Sequence, residues 1–347
     1  MDKITLSHML KGCKTGKIQS VGIMQMIPLV SELNDERFSS PSLAKIATSD
    51  YGTLVIDNST DKTMIIPAQA AYVVKQHAQD HALPHAGLIK ASQKKFFDTA
   101  MCIQQSQGGY IKDGEHKMII LPFPLREVAH KARNSTGYDR LWNAISKFNS
   151  VFNVTGAAHL EYFLDSFKSQ LDNFIAEFEP VPNQVGAIIL IDGKVVGVER
   201  GPSEEYWYSI WPALVRECYG GLALYEIEKH KNKKTKKGAQ KDIKAPVTRV
   251  PLKKVKTLAA LKKALEEADK KEYDIVKKMV EDICAFEFDL KEDSKQSDDG
   301  LSVNSVKNDR FIGQVICDGE KVVYGSLFAT QNWRDNADWF EAPEFTM

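Results

Sequence analysis

The sequence predicts an α+β fold, in which antiparallel β-hairpins form one or two sheets that pack against amphipathic helices. Two Asp-Gly dipeptides carry this prediction, because Asp-Gly between apolar runs is the strongest short-range signal for a hairpin. The first joins the apolar runs 185–191 and 195–198, and the second joins 311–317 and 321–328. A helical pattern of apolar residues, 203–227, follows the first hairpin directly.

The first 122 residues contain several further strand patterns. The run 22–29 reads as a strand that ends at a proline, and 118–121 is a short apolar strand. The runs 51–58 and 63–67 flank Ser-Thr-Asp-Lys, which predicts a hairpin with a four-residue loop. This part of the chain is therefore expected to supply mainly strands.

The middle of the chain is expected to be helical. Apolar residues follow the i, i+3, i+4, i+7 pattern over five turns in 157–178, which predicts one long amphipathic helix. Pro180 then ends that helix. A shorter helical pattern precedes it at 138–149, and 257–286 contains two more.

Changes in composition divide the chain into four parts. Between Lys229 and Lys256 there are twelve Lys or Arg residues against one acid, and 231–238 holds no apolar residue, which is typical of a solvated loop. The predicted parts are a main α+β body at 1–228, a basic flexible insertion at 229–256, helices and a C-terminal hairpin returning to the main body at 257–330, and an aromatic and acidic tail at 331–347.

Bulk composition limits the classes of function. The 347 residues can bury a large core, and a formal net charge of zero gives no global attraction to nucleic acid or to an anionic membrane. Five scattered cysteines without a CxxC pair argue against a disulfide framework. The N-terminus does not resemble a signal peptide, and the longest apolar run is too short to span a bilayer. We expect a cytoplasmic protein with reduced thiols and no membrane contact.

The block 185–215 allows comparison with a known family. It runs from Val185-Gly186-Ala187 through the Asp-Gly turn to Gly197, and then to Trp211-Pro212-Ala213-Leu214. This order resembles the ARG and rhodanese-phosphatase-superfamily-associated protein domain, in which a Gly-rich hairpin precedes a helix that carries Trp-x-x-Leu. The resemblance covers most of residues 20–330 and is strongest in this block.

The resemblance implies candidate site residues in the first half of the chain. Lys75-Gln76 is similar to a Lys-Gln pair of the family, and Cys102 to Gln105 is similar to its Cys-x-Glu-Gln segment. The chain departs from the pattern at His77, where Arg shortly follows in the family, and at Gln104, which replaces an acid. Separately, Glu199 and Arg200 end the first hairpin, where a sheet rim often presents functional side chains. The candidate ligand-binding residues are Lys75, Gln76, His77, Cys102, Gln104, Gln105, Glu199 and Arg200.

Other chemical motifs are weak. His77, His81 and His85 are four apart, as metal ligands on one helix face would be, but Pro84 interrupts such a helix, so we expect structural or surface histidines and no metal site. Cys102 would act as a nucleophile only if a neighbouring base lowered its pKa, and a buried structural thiol is the alternative. The glycines form no GxGxxG or Walker loop, so no phosphate cradle is predicted.

Three functions stay open. The name of the resembled family records an association with ADP-ribosylglycohydrolases and phosphatases. The resemblance therefore implies binding or processing of ADP-ribose or NAD-related nucleotides. It indicates no cofactor and leaves enzymatic activity undecided. One alternative is a non-enzymatic interaction or scaffold protein, whose tail docks on its own chain or on a partner protein. The other is nucleic-acid contact through 229–256, which the lack of interleaved aromatic residues disfavours.

Overall fold

Strands from both ends of the chain and from its middle share one large antiparallel sheet. The computed structural model describes residues 3–48, 50–74, 79–105, 108–111, 116–155, 158–237, 255, 257–297 and 300–336, with the side chains of 233–237 outside this description. The strands are β1 Lys3–Thr5, β2 Lys14–Thr15, β3 Gln19–Val21, β4 Met24–Val30, β5 Phe38–Ser39, β6 Lys45–Ala47, β7 Leu54–Asn58, β8 Thr63–Ile66, β9 Ala70–Val74, β10 His81–Ala82, β11 Gly87–Ile89, β12 Gln93–Phe97, β13 Met101–Cys102, β14 His116–Ile120, β15 Gln184–Ile191, β16 Lys194–Arg200, β17 Glu287–Glu292, β18 Leu301–Lys307, β19 Phe311–Asp318 and β20 Lys321–Ala329.

The helices lie mainly in the middle of the chain. A π-helical segment, Ala213–Gly220, joins two of them without a break, and a short 3-10 turn occupies Pro41–Leu43. The helices are α1 Leu6–Met9, α2 Phe123–Lys131, α3 Trp142–Val151, α4 Leu160–Ser166, α5 Lys168–Glu177, α6 Glu204–Pro212, α7 Gly221–Lys237, α8 Leu258–Cys284 and α9 Gln331–Asn336. The mixture of helices with antiparallel sheets confirms the predicted α+β class.

The large sheet has the strand order β1-β17-β18-β19-β20-β16-β15-β4-β2, and β3 also pairs with β4. The two predicted hairpins, β15–β16 and β19–β20, are adjacent in it because β16 pairs with β20. Their turns differ. Asp192 and Gly193 both have positive φ, at 50° and 74°, as a type I′ turn requires, whereas the second turn places Gly319 (φ 56°) first, as in type II′. The two Asp-Gly dipeptides therefore occupy different positions in turns of different type.

Three smaller sheets, with orders β13-β10-β9-β14, β11-β8-β5 and β12-β7-β6, are built from residues 38–120. The predicted hairpin between 51–58 and 63–67 is wrong in its pairing: β7 pairs with β6 and β12, and β8 pairs with β5 and β11. The Asn58 side-chain amide explains the difference, because it donates to the carbonyl oxygens of Lys62, Ile89 and Lys90 at 2.8–3.1 Å. These bonds hold the chain at a corner between two sheets.

Two helical predictions also need correction. The pattern 157–178 forms two helices, α4 and α5, because Phe167 leaves helical geometry at φ −111°, ψ 15°. Helix α7 continues as far as Lys237, where the sequence predicted a loop from 231 onward. Lysine is a good helix former, and Lys231 pairs with Glu228 at 2.6 Å one turn earlier. Residues 238–254 and 256 of the predicted basic insertion lie outside the described residues.

The first residues of the aromatic tail form α9, which lies against the main core. Trp333 is half-buried there, and the Arg310 guanidinium lies 4.8 Å from the centre of its ring. This part of the tail packs on its own chain, and residues 337–347 lie outside the description. Within the described helices, no stretch combines the length and apolarity needed to cross a membrane.

A fully buried ion pair connects the large sheet to the helices. Arg126 of α2 donates from Nη1 to Glu199 Oε1 of β16 at 2.8 Å, and both side chains are almost completely buried. The Tyr219 hydroxyl, from the π-helical segment, donates to the same carboxylate oxygen at 2.7 Å. Arg126 also donates to Ser326 Oγ of β20 at 2.5 Å and to Gln69 Oε1 at 3.2 Å. Each buried charge is thus hydrogen-bonded on several sides, as stability requires.

Removal of either charge of this pair should strongly destabilise the fold. We expect Arg126→Met and Glu199→Gln each to lower the free energy of unfolding by about 3–5 kcal/mol, because the remaining group loses its buried partner. The double variant should lose clearly less than the sum of the two. Urea denaturation of all four proteins measures this coupling, and additive losses would contradict it.

A second prediction concerns the close approach of β15 and β16. A Cβ added at Gly186 would lie 2.3 Å from the carbonyl oxygen of Glu199. We expect Gly186→Ala to lower the free energy of unfolding by about 1–3 kcal/mol, since the strands must separate. Gly221→Ala is the matched control: its Cβ would meet Pro122 at an ordinary 3.4 Å inside helical backbone. That variant should be neutral or more stable in the same denaturation assay.

Candidate ligand site at the edge of the four-stranded sheet

A cluster of two carboxyl groups and one amide lies beside the sheet β13-β10-β9-β14. The side-chain nitrogen Nε2 of Gln104 donates to Asp80 Oδ2 at 2.5 Å and to Glu161 Oε2 at 2.9 Å. The backbone N–H of Val74 donates to the other Asp80 oxygen at 2.7 Å. Asp80 and Gln104 are buried, whereas Glu161 is half-buried and reaches the surface.

Backbone pairing holds these three residues together. Asp80 immediately precedes β10, and its carbonyl oxygen accepts from Ile103 N–H at 3.0 Å. The Ile103 carbonyl in turn accepts from Leu160 N–H at 3.1 Å, which places the first turn of α4, with Glu161, over Gln104. Gln104 also forms an isolated antiparallel bridge with His159. The cluster is therefore fixed by main-chain contacts and does not depend on side-chain packing alone.

Burial changes the acidity of Asp80. Burial and, to a smaller extent, the nearby Glu161 charge raise the pKa of this carboxyl, the bonds from Val74 and Gln104 lower it, and the resulting pKa is about 7. A carboxyl group with this pKa can give up or accept a proton near neutral pH. One oxygen of Asp80 and one of Glu161 bond the same nitrogen, so the two carboxyl groups are close neighbours, as the carboxyl pair of a glycosidase is.

Two groups of exposed aromatic rings belong to segments that contact this cluster. In α4 and the residue before it, His159 and Tyr162 stack with ring centres 4.8 Å apart and planes 14° from parallel, and Tyr162 is 43% exposed. The rings of Tyr51, Tyr110 and Tyr138 form the second group, which we call the tyrosine patch. Large aromatic surfaces in water are typical of binding sites, because leaving them exposed is unfavourable.

Cys102 contributes structure to this site. Its backbone N–H donates to the Tyr138 carbonyl at 2.7 Å, and its thiol donates to the Gln104 carbonyl at 2.9 Å. Burial raises the pKa of Cys102, so the side chain remains a protonated thiol at neutral pH. The interpretation of Cys102 as a buried structural thiol therefore fits better than a nucleophile.

The histidine series does not form a helix face. His81 lies in β10 opposite both Cys102 and Tyr72, and burial lowers its pKa to about 4. His85 is also buried, with its ring bonded to the Ala86 carbonyl at 3.0 Å and to Thr99 Oγ1 at 2.9 Å. In the part of the chain that the structure describes, no three His, Cys, Asp or Glu residues are grouped so that they could hold a metal ion.

The predicted site residues are divided among three places. Cys102, Gln104 and Gln105 lie together, and Gln105 N–H donates to the Ala158 carbonyl at 3.0 Å. Glu199 belongs to the buried pair with Arg126 and not to a rim. Arg200 is also buried, and its Nη1 donates to the carbonyl oxygens of Met9 and Lys11. The remaining candidates, Lys75, Gln76 and His77, lie outside the described residues.

Sequence reasoning did not identify Asp80 and Glu161 as site residues. Asp80 stands between two histidines in the sequence, and Glu161 is one of two acids in α4. Nothing in the local pattern distinguishes a buried acid from an exposed one. The one available signal was Gln104, whose position in the chain matches an acid in the family pattern.

A protein-family model supports the resemblance found in the sequence. The model of the ARG and Rhodanese-Phosphatase-superfamily-associated Protein domain matches residues 12–285, and the chain therefore belongs to this family. The match includes Asp80, Cys102, Gln104 and Glu161. Comparison with curated proteins and with solved structures finds no match.

The raised pKa of Asp80 predicts a distinct pH dependence of stability. Its folded-state pKa of about 7 exceeds the unfolded value of about 3.9, so the folded protein binds the extra proton between these values. The contribution of Asp80 to the free energy of unfolding should therefore fall by a few kcal/mol as the pH rises from 4 to 7. Asp80→Asn should lack this decline.

Chemical denaturation of wild type and Asp80→Asn from pH 4 to 8 measures the effect as a difference between the two proteins. The difference is needed because burial lowers the pKa of His81 to about 4 and of His130 to about 3. These neutral histidines make both proteins gain stability as the pH rises toward 6.5. Parallel curves for the two proteins would contradict the assignment of a raised pKa to Asp80.

Proposed function

We propose that this member of the ARG and Rhodanese-Phosphatase-superfamily-associated Protein domain family binds an ADP-ribose or NAD-related nucleotide beside Asp80, Gln104 and Glu161. The observation that carries the proposal is the shared amide: Gln104 holds two carboxyl groups together next to exposed aromatic rings. Family membership supplies the ligand class, because its name records an association with ADP-ribose chemistry.

The carboxyl groups suit the ribose part of such a ligand. A carboxylate accepts hydrogen bonds from sugar hydroxyl groups, and an acidic residue plays this part in dinucleotide-binding folds. Glu161 is the member of the cluster that reaches the surface. Gln104 Nε2 holds its Oε2 in place, so Glu161 can receive a hydroxyl with little loss of side-chain freedom.

The stacked rings of His159 and Tyr162 suit the base. Partial burial lowers the pKa of His159, so its ring is mostly neutral at pH 7 and stacks without placing a charge beside the base. Stacking of a base on an aromatic side chain contributes about 1–3 kcal/mol. Tyr162 and Glu161 both lie in the first turn of α4.

Binding should therefore depend on Glu161 and Tyr162 together. We expect ADP-ribose to bind the wild-type protein in isothermal titration calorimetry, and Glu161→Gln and Tyr162→Ala each to weaken it about tenfold. Tyr273→Ala is the control, since Tyr273 is a 59% exposed tyrosine on α8. It should leave the affinity unchanged.

The choice of ligands separates the outcomes of this experiment. NAD and adenosine, titrated in parallel, show whether the part of the ligand beyond adenosine contributes to binding. Absence of heat with ADP-ribose, NAD and adenosine would refute the proposal. Binding that responds equally to Tyr162→Ala and Tyr273→Ala would place the ligand elsewhere.

Processing of the nucleotide is a further step of this proposal. Hydrolysis of a glycosidic bond needs two carboxyl groups, with water as the second substrate. Asp80, which can exchange a proton near pH 7, and the adjacent Glu161 carboxylate would supply them. Chromatography of ADP-ribose and NAD incubated with the protein would show new products that Asp80→Asn fails to release. Unchanged nucleotides would limit the role of the site to binding.

A second candidate, an interaction role in the cytoplasm, is favoured by the tyrosine patch. Tyr51, Tyr110 and Tyr138 are 45%, 44% and 39% exposed, and the ring of Tyr51 contacts the rings of the other two. Clustered exposed tyrosines are characteristic of protein interfaces. Retention of a partner protein by wild type and by Tyr162→Ala, but not by Tyr138→Ala, would favour this role over nucleotide binding.

A further inference from the structure

A cleft of about 320 Å³ lies where the loop after β4, the end of β16 and the start of β20 meet. The loop is tied to the end of β16 by a hydrogen bond from Asp35 N–H to the Pro202 carbonyl at 3.0 Å. Three cationic side chains line the cleft, Arg37, Arg200 and Lys321. Neither the buried ion pair nor the candidate nucleotide site includes any of these residues.

Arg200 lines this cleft with a guanidinium group that has not made all of its possible hydrogen bonds. The residue is only 7% exposed, and its Nη1 bonds two carbonyl oxygens at the end of α1. Its Nε is buried and has no hydrogen-bond partner among the residues that the structure describes. A buried donor without a partner is unfavourable, and a ligand oxygen would satisfy it.

The other two cations are held in place by one carboxylate. Asp35 accepts from Arg37 Nε and Nη2, both at 2.8 Å, and from Lys321 Nζ at 3.2 Å. These contacts hold the pKa of Asp35 at about 2, so it stays ionised. Arg37 also pairs with Asp318 at 2.8 Å.

Cationic side chains outnumber carboxylates in the lining of the cleft. Arg37, Arg200 and Lys321 line it together with one carboxylate, Asp35, while Asp318 pairs with Arg37 and Glu36 accepts from Asn34 beside them. Asp35 bonds Arg37 and Lys321 at the rim, while Arg200 lies at the base. An anion bound here therefore competes with Asp35 for these two cations.

We propose that this cleft binds a compact oxyanion, a phosphate or carboxylate group of a small molecule, between Arg200, Arg37 and Lys321. Arginine suits such groups because its planar fork matches two oxygens of a phosphate or carboxylate at once. The volume of the cleft accommodates a metabolite-sized ligand. This site is independent of the proposed nucleotide site, and either can exist without the other.

Titration calorimetry with inorganic phosphate and with succinate, at constant ionic strength, tests the proposal. We expect saturable binding of at least one of them, and the preferred anion identifies the ligand group. Arg200→Lys, which keeps the charge but loses Nε–H, should weaken binding about tenfold, as should Lys321→Gln. Lys168→Gln is the control, because Lys168 forms an exposed ion pair with Asp172 in α5.

Asp35→Asn provides the opposite test. It removes the carboxylate that competes for Arg37 and Lys321, so it should tighten anion binding about tenfold, whereas a variant that merely damages the fold would weaken it. Circular dichroism of each variant confirms folding. Failure of both anions to saturate the wild-type protein would overturn the proposal. So would equal affinities in wild type, Arg200→Lys and Asp35→Asn.

Discussion

The buried pair of Arg126 and Glu199 is the interaction on which the rest of this structure depends. Neither charge is stable inside the protein unless it is paired and hydrogen-bonded, and the bonds come from separate parts of the chain. Tyr219 supplies one from the π-helical segment, Ser326 another from β20, and Gln69 a third from the chain between β8 and β9. The large sheet, the helices and the smaller sheets must therefore assemble in one relative arrangement.

This arrangement also explains the candidate nucleotide site. The four-stranded sheet has one face against α2 to α5, and the apolar cluster between them fixes where α4 begins. Asp80 and Gln104 come from the sheet and Glu161 from the helix, so the cluster exists only when the two layers are packed. The acidity of Asp80 follows from the same packing, because burial is the main cause of its raised pKa.

Two consecutive residues of β16, Glu199 and Arg200, belong to two different regions of the structure. Successive side chains of a strand point to opposite faces. Glu199 is therefore directed to the buried pair, while Arg200 lies at the proposed anion cleft. The type I′ turn at Asp192-Gly193 and the register shift between Ile189 and Leu190 together set the register of this strand. A slip of one residue would move Glu199 to the opposite face of the strand and leave Arg126 without its carboxylate.

The sequence by itself determined the features that depend on neighbouring residues. The α+β class and both Asp-Gly hairpins follow from turn chemistry and from the spacing of apolar residues. Only the tertiary structure decided the rest. Strands β7 and β8 pair with partners elsewhere in the chain because Asn58 bonds carbonyls up to 32 residues away, and the long helical pattern breaks at Phe167. Glu161 joins Asp80 and Gln104 across 57 residues or more, and burial then sets the protonation of Asp80. No local pattern contains these distant contacts or the exclusion of water that they bring.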